Sequence, residues 1–513
     1  MAINYVPNDP LAGAPAMQAK KPRVDRPGTL AGFTYASSPA EDRYNPGTDG
    51  FLYWQCREAA LAAVETWERL DGPLARWARG RRRLRLKHNA GVDLNAYYNR
   101  SSLAFFEYRT GAKVTYTGAS TDVVAHEAGH ALFDVIRPDV WDSYFTEVNA
   151  FHEAFGDIWA ILTALDDKRT RRALIAAAPS LWKVNFVEAT AEDLADGVRH
   201  QYGASHPAGA PRHAFNWFVW QLPSTLPLSR PPTELTREIH SFARVFTGCF
   251  YDLVGLLWND QPSWSEGALW KAAATAGKLL IAGARSAPET PRFFQSVGES
   301  MVAADRAQNG GANVSHIVEA FGYHGIQVGT VAATSPTSAL DGKAPAINRK
   351  AMTAKIGTAT RRGLARLFEV EGAAKLGLRA VEVGDSIVAE ASLTRDVDLT
   401  GLSERLANVV APARESVRVG AVHAAPAIIG ALPQPAAAAE DEVRSFVESL
   451  VARGAIDFDG SAGGAGAVEG GKTHRVVKED GKQVLRRLQF ACAPSAWVNS
   501  SGGEAVSCDH HHR

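Results

Sequence analysis

The chain has 513 residues, of which 46% are hydrophobic and 21% charged, a composition typical of a globular protein rather than a disordered or fibrous one. Its 55 Lys and Arg residues balance its 55 Asp and Glu residues, so it lacks the positive excess that a dedicated binder of nucleic acid or of an anionic membrane needs. The length suggests about three structural units of roughly 150 residues each.

The cysteines Cys56, Cys249, Cys492 and Cys508 are far apart and form no CxxC pair, which excludes a disulfide scaffold and a cysteine-type structural zinc site. Cys492 and Cys508 could pair in an oxidising compartment, or both could be free thiols. The first residues show no secretory signal, and no run of about 18 apolar residues occurs. We therefore expect a cytoplasmic protein without a membrane anchor, and leave open export by a route that needs no N-terminal signal.

In chain order, Pro, Gly and Asp predict an irregular arm at 1–50. Helical spacing over 51–70 is followed by short β-like runs in 82–117, where Thr110 and Gly111 favour a hairpin turn. The helical segments that come next are 122–136, 147–165, 239–258, 267–283, 296–308 and 313–322. Strands first and helices second predict an α+β fold up to about residue 328.

After residue 328 the composition shifts to Ala, Gly, Pro and Thr. We predict a linker at 329–347 and an accessory region of unknown role at 348–513, in which no residue pattern points to chemistry. Within it, 440–453 has the pattern of an amphipathic helix, and 473–490 alternates around a turn as a hairpin does.

The residues that point to chemistry begin with the sequence HEAGH at 126–130. On a helix, His126 and His130 lie on one face one turn apart, so their imidazoles can hold one metal ion, and Glu127 can reach a water on that metal. This pattern alone leaves open a helix that carries two ordinary histidines.

The next helical segment, 147–165, is largely apolar yet carries Glu153 and Asp157 one turn apart. A buried carboxylate is costly unless it is paired or bound to a metal. A metal ion provides the partner for Glu153, and the ring N–H of a ligand histidine provides one for Asp157. Two His and one Glu with an open fourth position are a catalytic zinc set, so we predict one zinc ion on His126, His130 and Glu153.

Glu127 would then act as the general base that takes a proton from the zinc-activated water and later passes it to the leaving amine.

Five segments resemble the thermolysin-like zinc metallopeptidases, a gluzincin family, and they occur in the family's order. They are NAYYN at 95–99, DVVAHEAGH at 122–130, YFTEVNAFHEAFGD at 144–157, EIHSFARVFTGCFYDL at 238–253 and HIVEAFGYHGI at 316–326. The resemblance implies a two-lobed α+β peptidase unit at 51–328, with a β-containing first lobe and a helical second lobe. It also implies a zinc endopeptidase that acts on peptide or protein substrates.

The resemblance implies roles for further residues. Tyr144 and His240 would donate hydrogen bonds to the developing oxyanion. The acid that orients His240 is either Glu234 or Glu238. Other histidines nearby compete for the role of His240, namely His200, His206 and His213. We expect His152, beside the third ligand, to be structural.

On the substrate side, the resemblance implies that Asn95 and the carbonyl of Ala96 hold the substrate backbone. Arg212 would bind a substrate carbonyl, with Arg199 as its rival. An apolar pocket, with Val123 as one wall, would take the side chain after the scissile bond.

The chain departs from the family in its calcium ligands, because Asp122 is present but Ala164 stands where an acidic ligand is expected; calcium dependence is therefore doubtful. Two other functions remain open: a catalytically silent, zinc-containing binding or scaffold relative, and a zinc hydrolase of a non-peptide amide. Glu127 argues against the first, since only catalysis needs it. The strand at Asn95 argues against the second, because a strand edge pairs with an extended peptide.

Overall fold

The structure is a computed structural model that describes residues 2–177, 179–204, 206–329, 358–371, 375–383, 386–421, 426–429, 431–459 and 471–492. The predicted linker at 329–347 falls outside this part of the chain except for its first residue, and Cys508 falls outside it as well. Helices and several small sheets make up the described residues, so the fold is mixed α/β and compatible with the predicted α+β class. Among the described helices, none is long and apolar enough to cross a membrane.

Short strands and one long helix occupy the first 120 residues. The strands are β1 (Ile3–Tyr5), β2 (Gln18–Lys20), β3 (Gly32–Tyr35), β4 (Arg83–Lys87), β5 (Ala96–Tyr98), β6 (Ser102–Phe105), β7 (Glu107–Thr110) and β8 (Lys113–Tyr116). The helix α1 (Asp49–Asp71) begins where the Thr48 hydroxyl accepts a hydrogen bond from the Phe51 N–H, as a capping residue does. The arm at 1–50, for which we predict irregular structure, thus contributes three strands, and the prediction is wrong for those segments.

A five-stranded sheet forms one side of the site described below. Its order is β18-β5-β6-β4-β3, where β18 (Phe490–Ala491) comes from the accessory region. β3, β4 and β6 run parallel, whereas β5 is antiparallel to both β6 and β18. The predicted hairpin at Gly111 is confirmed as the antiparallel pair of β7 and β8.

Helices dominate residues 121–323. They are α2 (Thr121–Ile136), α3 (Thr146–Asp166), α4 (Lys168–Ala177), α5 (Glu192–Tyr202), α6 (Ile239–Asn259), α7 (Glu266–Ser286), α8 (Phe293–Asn309) and α9 (Val314–Tyr323), with the short strands β9 (Ala189–Thr190) and β10 (Arg212–His213) paired between α4 and α6. The predicted helical segments agree with these helices within a few residues at each end. The central helix is α3, which is buried from Thr146 to Leu165.

The described part of the accessory region forms a second sheet and two helices. These elements are α10 (Thr358–Leu367), α11 (Ala436–Ala452), β11 (Gly377–Val383), β12 (Ser386–Asp398), β13 (Val409–Ala421), β14 (Pro426–Ile429), β15 (Ile456–Asp457), β16 (His474–Glu479) and β17 (Lys482–Arg487). The sheet order is β11-β12-β13-β17-β16-β15, and β14 also pairs with β13. α11 confirms the predicted helix at 440–453, and the antiparallel pair of β16 and β17 confirms the predicted hairpin.

The accessory region packs against the helical part of the chain. Phe446 and Leu485 belong to the same hydrophobic core as Phe151 of α3. Across the same boundary, Arg414 pairs with the buried carboxylate of Glu289 at 2.9 Å. The predicted domain boundaries stay predictions, but the core runs across the boundary near residue 328.

Candidate metal centre

The site lies between α2 and α3, which approach closely because two glycines face each other. A Cβ on Gly129 would lie 2.9 Å from the Trp159 Cβ and 3.0 Å from the Gly156 Cα. A Cβ on Gly156 would lie 2.6 Å from the Nδ1 and Cε1 atoms of His126. The absence of both side chains therefore lets the rings of α2 reach the carboxylates of α3.

Three buried side chains meet at this contact. His126 and His130 on α2 point their Nε2 atoms at the Oε2 atom of Glu153 on α3, at 3.3 Å and 3.5 Å. The side chains are at most 1% exposed, and neither Nε2 atom nor either Glu153 oxygen has a hydrogen-bond partner. Orphaned polar atoms in a dry interior are costly, so the arrangement could hold a metal ion.

Two further residues orient the histidine rings. The Nδ1 atom of His126 lies 2.9 Å from Asp157 Oδ1, and the Nδ1 atom of His130 lies 2.8 Å from the Nδ1 atom of His152. Burial holds the pKa of His152 well below its usual range, so this ring is neutral and its Nδ1 atom can accept a hydrogen bond from the His130 Nδ1–H group. Both contacts engage Nδ1, so the Nε2 atom of each ring is available as the ligand atom. The contact between His126 and Asp157 is the one that the sequence analysis expects.

Glu127 follows the first histidine on α2 and is fully buried. Neither of its carboxylate oxygens has a hydrogen-bond partner, and burial raises its pKa to about 7. A buried carboxyl group of this kind beside a metal site can exchange a proton near neutral pH.

His240, at the start of α6, lies on the other side of the ligand set. Its Nε2 atom is 3.2 Å from Glu153 Oε2, and its Nδ1 atom is 2.8 Å from Glu238 Oε1. Glu238 also accepts hydrogen bonds from the His240 and Ser241 N–H groups and pairs with Arg453 at 2.8 Å. Of the two acids left open by the sequence, Glu238 is therefore the one that orients His240, whereas Glu234 is half-exposed and pairs only loosely with Arg230.

The competing histidines lie away from the ligand atoms in this arrangement. His200 and His213 are 48% and 40% exposed at their side chains and pair with Asp196 and Glu188. His206 lies in a loop, where it accepts from the Ala208 N–H.

The edge strand β5 borders the ligand set, and we call the space between β5, Glu127 and His240 the cleft. Asn95 immediately precedes β5, is buried, and its side chain accepts a hydrogen bond from the Ala96 N–H at 2.9 Å. The Ala96 carbonyl points into the cleft, where it accepts a hydrogen bond from the Cys492 N–H at 2.9 Å.

Cys492 brings the accessory region into the cleft, which the sequence analysis did not anticipate. Its Sγ atom lies within 4.8 Å of ligand atoms of both His126 and Glu127, and the thiol is free and buried. No local signal marks this cysteine, because the residue pattern around it resembles no metal-binding motif.

Two of the predicted side chains are engaged with other partners. The Tyr144 hydroxyl donates to the carbonyl of Leu485 in the accessory region. Arg212, on β10, makes a two-pronged ion pair with Asp157, with Nη2 2.7 Å from Oδ1 and Nε 2.9 Å from Oδ2. Its rival Arg199 is 53% exposed at its side chain and pairs with Asp196, so Arg212 is the arginine at the site.

An open pocket adjoins the cleft beside Cys492. Its apolar walls come from α5 and the following loop, and its polar edge includes Arg212 and His240. Val123, which we expected to line a substrate pocket, is buried in α2 and does not line this cavity.

A second cluster of acids lies near the first turn of α2. Asp9 from the arm, Asp122 and Glu192 bring ligand oxygens within 4.8 Å of one another, and Asp9 Oδ2 and Glu192 Oε2 have no hydrogen-bond partner. Burial and the two neighbouring carboxylates raise the pKa of Glu192 to about 10. Asp9 joins Asp122 from a distant part of the chain, so no local pattern predicts this cluster, which could hold a hard cation.

We predict that Asp9→Asn raises the stability of the protein at pH 8 in a chelating buffer by about 1 kcal/mol or more. Burial and the Asp122 carboxylate raise the pKa of Asp9 above its ordinary value of 3.8. Folding therefore opposes ionisation of Asp9, and the free energy of unfolding falls as pH rises above about 4. Denaturant unfolding measures the gain, which should shrink towards pH 4. A variant that is less stable than the unchanged protein at pH 8 would contradict this account.

In comparisons with known proteins, no protein-family model matches the chain and no curated protein matches it.

Proposed function

We propose that the chain is a zinc-dependent endopeptidase related to the thermolysin-like metallopeptidases. The observation that carries the proposal is the buried set of His126, His130 and Glu153, whose ligand atoms lack hydrogen-bond partners, with the equally unpartnered Glu127 beside it. A merely structural site would have no use for a fourth, non-ligand carboxylate at this position.

The donor set fits zinc. Two imidazoles and one carboxylate suit zinc better than calcium or magnesium, which prefer oxygen ligands alone. Tetrahedral ligands about 2.1 Å from a metal lie about 3.4 Å apart, close to the 3.3 Å and 3.5 Å that separate Glu153 Oε2 from the two histidines. A zinc ion bound there would supply Lewis acidity to the scissile carbonyl and to a water molecule.

The chain's own residues would handle the protons and the developing charge. Glu127 accepts a proton from the attacking water and delivers it to the leaving amine, since no other unpaired carboxylate among the described residues adjoins the ligands. His240, held by Glu238, donates through Nε2 to the oxyanion. Tyr144 can join it only when its hydroxyl leaves the carbonyl of Leu485.

The substrate class follows from β5. A strand edge binds an extended backbone by main-chain hydrogen bonds. The Ala96 carbonyl already accepts such a bond from the backbone N–H of Cys492. The adjoining cavity is walled by Leu194, Ala195, Val198 and Ala208, so it suits an apolar side chain of the substrate. A peptide is therefore a better substrate than a small non-peptide amide.

The test of this function is digestion of an unstructured protein such as casein, with products read by mass spectrometry. Because residues 490–492 lie in the cleft, the test uses a variant that ends at Gln489 beside the full chain. We expect internal peptide-bond cleavage by the zinc-loaded variant and none after zinc is removed. Zinc-independent cleavage, or no cleavage at all by the loaded variant, would count against the proposal.

We predict that Glu238→Gln, in the variant that ends at Gln489, lowers kcat about 10-fold with little change in KM. The weaker acceptor no longer fixes the His240 ring, so the hydrogen bond to the oxyanion is lost while substrate binding through β5 persists. Steady-state kinetics measure both constants. The matched control is Glu234→Gln, which removes only a loose surface pair and should leave kcat unchanged. Equal kcat values in the two variants would exclude this role for Glu238.

A further inference from the structure

The free edge of β5 is already occupied by the last described residues of the chain. Phe490 and Ala491 form β18, which pairs antiparallel with β5. The Cys492 N–H continues this pairing and donates to the Ala96 carbonyl at 2.9 Å. Because an extended peptide substrate would need the same edge, such a substrate and residues 490–492 exclude each other.

The peptide bond between Ala491 and Cys492 lies among the groups that would act on a substrate. The Ala491 carbonyl is 3.0 Å from His240 Nε2, and since a carbonyl oxygen can only accept, the ring donates this hydrogen bond. On the other side of the bond, the Cys492 Sγ atom lies within 4.8 Å of ligand atoms of both His126 and Glu127. The bond therefore takes the place that a scissile bond would take, between the oxyanion donor and the general base.

The second proposed oxyanion donor is also engaged by the accessory region. The Tyr144 hydroxyl donates to the carbonyl of Leu485, on β17 just before the segment. His240 donates to Ala491 in the same way, so each of the two donors already has an acceptor that lies beyond residue 348. A substrate carbonyl would have to displace both of these acceptors.

Side-chain contacts hold the segment in this position. The Phe490 side chain is 1% exposed, and its ring stacks on His152, with centroids 3.7 Å apart, and on His130 at 5.0 Å. The Arg487 guanidinium lies 4.0 Å from the Phe490 ring and donates to the Trp141 carbonyl at 2.9 Å. The packing of the accessory region therefore fixes the segment, in addition to its pairing with β5.

We propose that residues 490–492 are an internal inhibitor that mimics a bound substrate and keeps the full chain latent. The inference rests on the proposed function. Inhibition comes from the backbone, through the pairing of β18 with β5 and the contact of the Ala491 carbonyl with His240, and does not require the Cys492 thiol. Tethering gives the segment a high effective concentration, so a free peptide competes poorly for the same edge.

The geometry favours an inhibitor over a substrate that the chain cleaves. Hydrolysis of the bond between Ala491 and Cys492 needs a water molecule beside Glu127, and the Cys492 side chain lies on that side of the bond. The full chain incubated with zinc should therefore keep its mass. Loss of the residues after Ala491, measured by intact-protein mass spectrometry, would overturn the inhibitor.

Occupation of β5 is tested by hydrogen–deuterium exchange on the full chain, which needs no enzymatic activity. The fragment that contains Cys492 should exchange slowly, because the Ala96 carbonyl accepts from its N–H. Phe490→Ala removes the stacked ring and should speed this exchange about 10-fold or more. Phe458→Ala is the matched control, since that ring lies beside Arg405 at 4.5 Å and should leave the exchange unchanged. Exchange at the rate of an unstructured peptide in the unchanged protein would overturn the proposal.

Inhibition is tested by the rate at which zinc-loaded full-length variants cleave a quenched fluorescent peptide. Cys492→Pro removes the N–H that bonds to the Ala96 carbonyl, so its rate should exceed that of the unchanged protein about 10-fold or more. Cys492→Ser keeps this N–H and loses only the thiol, so its rate should stay near that of the unchanged protein. A gain for Cys492→Ser as large as the gain for Cys492→Pro would overturn the backbone as the cause.

The segment is also tested as a separate peptide against the variant that ends at Gln489. A peptide of residues 486–492 that carries Cys492→Ser should inhibit competitively, raising the apparent KM with kcat unchanged, and the same residues in scrambled order should not. Equal rates for the full chain, Cys492→Pro and the variant that ends at Gln489, all of them active, would overturn the inhibition and leave the peptidase standing. Slow exchange at Cys492 with no cleavage by any zinc-loaded variant would refute the peptidase, and the inhibitor with it.

Discussion

Glu127→Gln, made in the variant that ends at Gln489, should lower kcat/KM by about 10²–10⁴-fold while one zinc ion stays bound. Glu127 is fully buried and has no hydrogen-bond partner, so its carboxylate is free for proton transfer. Gln has the same shape but cannot accept and release a proton at neutral pH. Because Glu127 is not one of the proposed ligands, the change should leave the two histidines and Glu153 able to bind zinc.

Elemental analysis measures the zinc that stays bound, and cleavage of a fluorescent peptide measures kcat/KM. Glu442→Gln is the matched control, since Glu442 is also a buried carboxyl group but lies on α11 and accepts only from Ser224 at 2.9 Å. The control should retain nearly full activity. An active Glu127→Gln variant would rule out the assigned general base, whatever the zinc content.

Gly156→Ala should weaken zinc binding about 10- to 100-fold and destabilise the protein by about 1–3 kcal/mol. The added Cβ would lie 2.6 Å from His126 Nδ1 and Cε1, closer than real carbon contacts allow. The ring must move, and its movement breaks the 2.9 Å contact with Asp157 that would hold the Nε2 atom towards a metal ion. A helix gains only about 1 kcal/mol from replacing Gly with Ala, which the clash outweighs.

Gly267→Ala is the control for this change, because Gly267 lies in the first turn of α7 with no atom within 4 Å of an added Cβ. That variant should bind zinc normally and be equally or slightly more stable. Thermal unfolding and competition with a zinc chelator measure both variants. Equal zinc affinities for Gly156→Ala and the unchanged protein would show that the close approach of α2 and α3 does not shape the site.

Much of the site could be predicted because its signals are local. His126 and His130 are one helical turn apart, and so are Glu153 and Asp157, so spacing alone brings each pair to one face. Burial of α3 then requires a partner for its carboxylates, and the structure brings the two pairs together. The helices were predictable for the same reason, because an apolar stripe of period 3.6 is read within one segment.

The contacts that the sequence could not predict join distant segments. Ala491 and His240 are 251 residues apart, and Asp9 and Asp193 are 184 apart, so no periodicity links them. The choice between Glu234 and Glu238 depended on the turn that begins α6, where Glu238 both caps the helix and reaches the ring. β18 has only two residues and takes its place from pairing with β5, a tertiary effect that propensity does not contain.

Under the proposed function, His126, His130 and Glu153 hold a catalytic metal ion that hydrolyses peptide bonds. The most direct measurement is the initial rate of cleavage of a fluorescent peptide as zinc is titrated into the chelator-stripped variant that ends at Gln489. The rate should rise from zero and level off at one zinc ion per chain. A variant that binds one zinc ion per chain at these residues and shows no cleavage, or one that cleaves equally well without zinc, would contradict the claim.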